Sequence, residues 1–174
     1  MIEEFSRVSV FKGRRFSVEK RSYRYRDSVF EREVVVFPES VVILPILDDD
    51  RVILIKQYRP AINDYIYEAP AGVVESSESV RETAYRELIE ETGYKPGELI
   101  EIGYYYTTPG YSTEKMYFFI ARKLEYVGIR PEKYEIIEPV VFEIKDLINM
   151  IRNNVINDLK TVMIILYYIT MYKG

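Results

Sequence analysis

The sequence predicts an α/β or α+β sandwich with a small antiparallel N-terminal sheet beside it. Three observations carry this. Strand-like runs lie on both sides of one strongly capped helical segment at 79–92, two further helical segments close the chain, and the runs within 1–40 are less uniformly apolar than those at 41–59. The expected organisation is an N-terminal β-sheet region, 1–40, suited to forming a dimer surface, and a main domain, 41–174.

Each element has its own signal. "RFSVEKRSYRY" (15–25) partly alternates, and "SVFEREVVVF" (28–37) is rich in β-branched and aromatic residues. "VVILPIL" (41–47) is apolar enough to be buried on both faces. The acidic turn at 48–51 and "VILIKQYR" (52–59) then make 41–59 read as a hairpin. "YIYEAPAG" (65–72) is a short strand running into a loop. In 79–92, Ser76, Ser77 and Ser79 are plausible caps, Ser79 has capping-box spacing with Glu82, and Gly93 stands where a helix-ending glycine would. Strands are expected at 98–106 and 115–126, joined by "TTPGYSTE" (107–114). Another is expected at 134–144, where Pro139 marks an edge or a bulge. Helices follow near 145–153 and 157–172, the second capped by Asn157.

Composition narrows the chemistry. With 174 residues, 48% of them hydrophobic, the chain can bury a sizeable core. A net charge of −4 argues against a nucleic-acid partner, and the basic runs Lys12–Arg15 and Lys20–Arg26 read as solvated strand faces. There is no cysteine and no histidine, so thiolate sites and imidazole catalysis are both excluded. Any metal site must be built from oxygen, which favours Mg²⁺, Mn²⁺ or Ca²⁺. The N-terminus lacks the apolar run of a secretory signal, and 161–172 is too short to span a bilayer. The expectation is a cytoplasmic protein with no membrane partner.

The helix at 79–92 raises the functional question. On a wheel turning about 100° per residue, Val80, Ala84 and Leu88 define an apolar stripe, and Glu87 and Glu91 fall within roughly 20° of Val80. Both therefore point toward the body of the protein. Glu90 lies outside the pair, where Arg86 meets it at i, i+4. A solvated acidic face is the ordinary fate of a charge-rich helix, but inward carboxylates without basic partners are costly to desolvate. A divalent cation between them removes that cost. The preceding "APAGVVE" (69–75) offers small residues that let backbone approach an ion or a phosphate.

"GVVESSESVRETAYRELIEETGY" (72–94) resembles the Nudix box: Gly72, five residues, Glu78, seven residues, then Arg86-Glu87-Leu88, with Glu90, Glu91 and Gly93 following in register. Tyr94 stands where an aliphatic residue is usual. "EREVVVFPESVVILPI", "IKQYRP", "YEAPAG", "TTPGYSTE" and "LKTVMIILYY" extend the resemblance to the ADP-ribose pyrophosphatase branch of the Nudix hydrolases. It implies a Nudix-type α/β/α sandwich with a mixed sheet, and hydrolysis of a nucleoside diphosphate sugar, ADP-ribose to AMP and ribose 5-phosphate, with Mg²⁺ or else Mn²⁺. The same resemblance implies Glu87, Glu91 and the Ala71 carbonyl as metal ligands, with Glu90 as a further one. Arg86 would orient Glu90, and Glu78 would contact metal or hold the loop. Glu132 and Glu135 are the candidate bases, ahead of Glu138. Arg59, Glu68, Arg32, Pro109 and Glu114 are expected near substrate, Arg32 reaching the site of a second subunit in a homodimer. GDP-mannose, a dinucleoside polyphosphate and NADH are alternative substrates. A Nudix-fold binding module without catalysis and a structural Ca²⁺ site are the alternatives of another class.

Overall fold

The structure is a computed structural model that describes residues 1–49, 51–130 and 136–173. The chain divides into two compact units, one of Met1–Ser40 with Tyr104–Met116, the other of Val41–Gly103 with Tyr117–Gly174.

The first unit is built on a three-stranded sheet in the order β1 (Ile2–Lys12), β2 (Ser17–Tyr25), β3 (Ser28–Val36). Both pairings are antiparallel, and β1 carries irregularities between Glu4 and Ser6 and between Ser9 and Phe11. The sequence signal missed β1, whose residues are almost all exposed and so show no buried stripe. A two-residue turn joins β2 to β3, with Arg26 at φ 53°, the backbone twist that suits tight hairpins. Val35 makes an isolated parallel bridge to Ser112, and the Phe37 N–H donates to Thr113 Oγ1 at 2.9 Å, so the loop at 107–114 is laced to β3.

The second unit holds two sheets. One has the order β10-β5-β6, from β5 (Arg51–Arg59), β6 (Asp64–Glu68) and β10 (Ile137–Glu143), all antiparallel. The other has the order β7-β4-β9-β8, from β4 (Ser40–Pro45), β7 (Ala71–Val73), β8 (Tyr94–Tyr106) and β9 (Lys115–Tyr126). Here the expected hairpin at 41–59 is corrected. Among the described residues the two strands enter different sheets, and an isolated bridge, Ile46 with Val52, joins their ends. The reason is burial: Val41–Leu44 and Val52–Ile55 are all at or near zero exposure, and β4 already has a neighbour on each edge. Pro139 sits in β10, an edge strand, opposite Ile55. Pro96 is tolerated because β8 is also an edge, so that strand begins at Tyr94 rather than at 98.

Among the described residues three helices complete the unit: α1 (Val80–Thr92), α2 (Ile144–Arg152) and α3 (Leu159–Tyr168), with a π-helical turn at Ile169–Lys173. Among the described residues no helix is long and apolar enough to cross a membrane. Ala84 and Leu88 of α1 pack into a core with Val41, Ile43, Leu99, Phe119 and Ala121. Full burial of a side chain such as Leu88 contributes about 2 kcal/mol. The cap of α3 is Asp158 rather than Asn157, because its carboxylate accepts from the Thr161 N–H at 3.0 Å.

Candidate active site

The site is organised by α1, whose ends are fixed by local chemistry. The Ser79 side chain accepts from Glu82 N–H while the Glu82 carboxylate accepts from Ser79 N–H at 2.8 Å, and Gly93 closes the helix at φ 79°. With that register set, Glu87 and Glu91 are buried beside Ala84 and Leu88, as their wheel positions predict. Glu91 is 1% exposed and accepts from the Ala71 N–H at 2.9 Å. The Ala71 contact recorded for Glu91 is thus through the amide, which ties β7 to the helix.

One expectation is corrected. Glu87 is not without a basic partner: Arg86 Nη1 donates to Glu87 Oε1 at 2.8 Å and to Glu90 Oε2 at 2.9 Å. The same guanidinium makes a fork with Glu78 through Nε at 2.8 Å and Nη2 at 3.0 Å. Wheel geometry placed Arg86 against Glu90 alone, because neighbours in sequence do not share a face; the half-buried guanidinium is long enough to serve all three. Glu78 also accepts from Thr83 Oγ1 at 2.9 Å, an arrangement that holds the loop onto the helix.

These bonds hold the Glu78 carboxyl at about 2, Arg86 being the largest cause. They raise the Arg86 guanidinium above its ordinary range, again chiefly through Glu78. A depressed folded value means that Glu78 contributes stability in full above the ordinary 4.5, and loses it as the pH falls from there toward about 2. In an acid titration the melting temperature of the wild type should therefore fall more steeply across that window than that of Glu78→Gln.

Gly72 has a steric role. A Cβ there would lie 1.9 Å from Glu87 Oε1 and 2.0 Å from its Cδ. The obstructing group is the end of a flexible side chain, so Gly72→Ala should cost little melting temperature while driving the Glu87 carboxylate aside. A displacement of that size should lower turnover by up to about a hundredfold, readable as initial rate beside a calorimetric scan.

A second polar group lies in the same unit. Arg59 forks onto Glu68, Nε to Oε1 at 2.5 Å and Nη2 to Oε2 at 2.7 Å. Lys160 of α3 also donates to Glu68, and to Asp158 at 2.8 Å. Burial pushes the Glu68 carboxyl up, and Arg59 and Lys160 more than reverse it, leaving it below the usual range. Arg59 is raised, first by its bonds to Glu68. The sequence marked Arg59 and Glu68 but not their partnership, and missed Lys160 altogether.

The other expected residues lie in the first unit or outside the described residues, except Glu138 in the second unit. Arg32 and Pro109 line one pocket of about 330 Å³ with Arg21, Tyr23 and Phe30, the Arg32 guanidinium lying 4.8 Å from the Phe30 ring centroid. Glu114 accepts from Thr107 Oγ1 at 2.5 Å. Glu132 and Glu135 lie outside the described residues. Glu138 is exposed on β10, opposite Lys56.

A cation must fit what is present. Among the described residues no group of three or more acidic side chains is arranged to hold a metal ion. Two buried carboxylates on one helix, with the backbone at Ala71 and Gly72 against them, match a hard cation that binds few protein ligands and keeps several waters.

Residues 36–162 match the NUDIX domain. The chain belongs to the NUDIX family. Among Nudix proteins it is 34% identical to the ADP-ribose pyrophosphatase of Bacillus subtilis (strain 168) over 139 residues, covering 79% of this chain and 75% of that one. It is 27% identical to the ADP compounds hydrolase NudE of Escherichia coli (strain K12) over 157 residues, covering 88% and 84%. The crystal structure of an ADP compounds hydrolase superposes with a TM-score of 0.85 at 26% identity, covering 99% of this chain and 95% of that one. The expected Nudix-type α/β fold and the resemblance to the ADP-ribose pyrophosphatase branch are both borne out, and the chain is a Nudix pyrophosphohydrolase. Nudix hydrolases in general use divalent metal cations.

Proposed function

We propose that the protein hydrolyses the diphosphate linkage of a nucleoside diphosphate sugar, ADP-ribose first among them, to AMP and ribose 5-phosphate. The observation that carries this is the pair Glu87 and Glu91, buried on one face of a capped helix against the Ala71–Gly72 strand. The names of the relatives support the same substrate class.

Glu87 and Glu91 would hold Mg²⁺, or Mn²⁺ in its place, with the Ala71 backbone and Glu90 beside them. A cation held there supplies charge neutralisation of the diphosphate and Lewis acidity toward the attacking water. The remaining roles belong to the chain itself. The Ala71 N–H fixes the rotamer of Glu91. Arg86 Nη1 bonds both Glu87 and Glu90 and so holds the two carboxylates against one guanidinium. Arg59, whose side chain is 35% exposed, can present its guanidinium to a phosphate oxygen or the terminal ribose. A carboxylate of the 132–138 segment would take the proton of the attacking water. Arg32 would reach the site of a second subunit, and Pro109 and Glu114 would contact substrate.

We also propose a cytoplasmic homodimer formed through the N-terminal sheet, since Phe5, Val8, Val10 and Phe11 of β1 are exposed apolar side chains on one strand.

The test is a panel of ADP-ribose, GDP-mannose, a dinucleoside polyphosphate and NADH, compared by kcat/KM with Mg²⁺ and with chelator. ADP-ribose should lead and chelator should silence every substrate. A clear preference for another substrate overturns the choice of ADP-ribose, and full activity in chelator overturns the metal.

A further inference from the structure

Glu68 is 1% exposed and has a single negative charge, yet two cations bond to it, Arg59 through a fork and Lys160 through its ammonium. Lys160 is shared with Asp158, so two carboxylates and two cations form one cluster around Glu68. The two cations are not equivalent. The Arg59 side chain is 35% exposed, and the Lys160 side chain only 11%. Lys160 is further anchored by Asp158, which caps α3 and accepts from Thr161 N–H and Thr161 Oγ1 at 3.0 and 2.6 Å. Thr161 in turn accepts from the Ala69 N–H at 2.7 Å, so the first turn of α3 is fastened to the residue that follows Glu68.

This asymmetry separates a fixed cation from one that can turn. An arginine that leaves a buried carboxylate for a ligand normally strands that carboxylate without a counter-charge, at a cost that subtracts from binding. Here the stranding is lessened, because Lys160 stays on Glu68 while it also holds Asp158. We propose that Lys160 is a positioning residue that keeps Glu68 neutralised while Arg59 exchanges Glu68 for an anionic oxygen of the substrate diphosphate. The inference rests on the proposed reading of Arg59 as a substrate contact.

The probe is ADP, titrated calorimetrically into the metal-free full chain, together with kcat and KM for ADP-ribose. Wild type should bind ADP and Arg59→Met should bind it more weakly; if these two bind alike, the reading of Arg59 fails and the inference with it. Given that difference, Lys160→Met should weaken ADP and raise KM at least about tenfold, the worth of one charge-assisted hydrogen bond, with kcat little changed. Lys160→Arg should restore most of it. In the double variant Lys160→Met/Glu68→Gln no buried carboxylate competes for Arg59, so affinity should recover relative to Lys160→Met alone, a rescue that a merely structural lysine would not give. Wild-type affinity in Lys160→Met overturns the proposal while leaving the assigned activity intact. If Lys160→Met does not fold, Glu68→Gln and the double variant decide: equal ADP affinity supports the proposal, and a loss beyond about threefold in the double variant, under 1 kcal/mol, would mean that Lys160 grips the ligand itself and overturns it.

Discussion

Glu91→Gln should fold as the wild type does and lose about a thousandfold in kcat, the scale of removing one well-placed electrostatic group. The side chain is 1% exposed and Oε2 accepts from the Ala71 N–H at 2.9 Å. The amide oxygen of glutamine can still accept that bond, so the link between β7 and α1 survives while the charge does not. A calorimetric scan should show nearly the wild-type melting temperature. Turnover close to wild type at saturating Mg²⁺ would remove Glu91 from the metal set, and with it the central assignment.

Glu68→Gln should be the most destabilising of the conservative changes at this site. The substitution keeps shape but leaves Arg59 and Lys160 facing a neutral amide. Removing one partner of a fully buried ion pair costs about 3–5 kcal/mol. Because the Arg59 side chain is 35% exposed, solvent screens part of that, and about 2–3 kcal/mol is the expected loss. For a chain of this size that lowers the melting temperature by roughly 5–10 °C. An unchanged melting temperature would mean that the two cations are satisfied without Glu68.

What could be read from the sequence follows the range of the interactions. α1 was legible to within a residue because its signals are local: a serine three positions before a glutamate, and a glycine at the end. The inward turn of Glu87 and Glu91 was legible for the same reason, since helical periodicity alone sets it. Strand partners were not. Nothing in 41–59 says that β4 and β5 enter different sheets, since two apolar runs around an acidic turn look the same either way. The bonds of Arg86 to three carboxylates escaped because side-chain length, not residue spacing, decides them. Lys160 escaped because it lies 92 residues from Glu68, and no local pattern joins residues that far apart. The α3 cap was misplaced by one position because Asn157 and Asp158 are both good caps, and only the bond to Thr161 distinguishes them.

The bond between Thr161 and Ala69 has a bearing on how the molecule comes into being. The helix that pins Ala69 is made after every acidic residue of the box, so a nascent polypeptide that has emerged only through β10 would hold each of those carboxylates yet lack the clamp on the Ala69 N–H. Maturation of the site thus lags behind synthesis of the box, gated by a contact of very long loop closure.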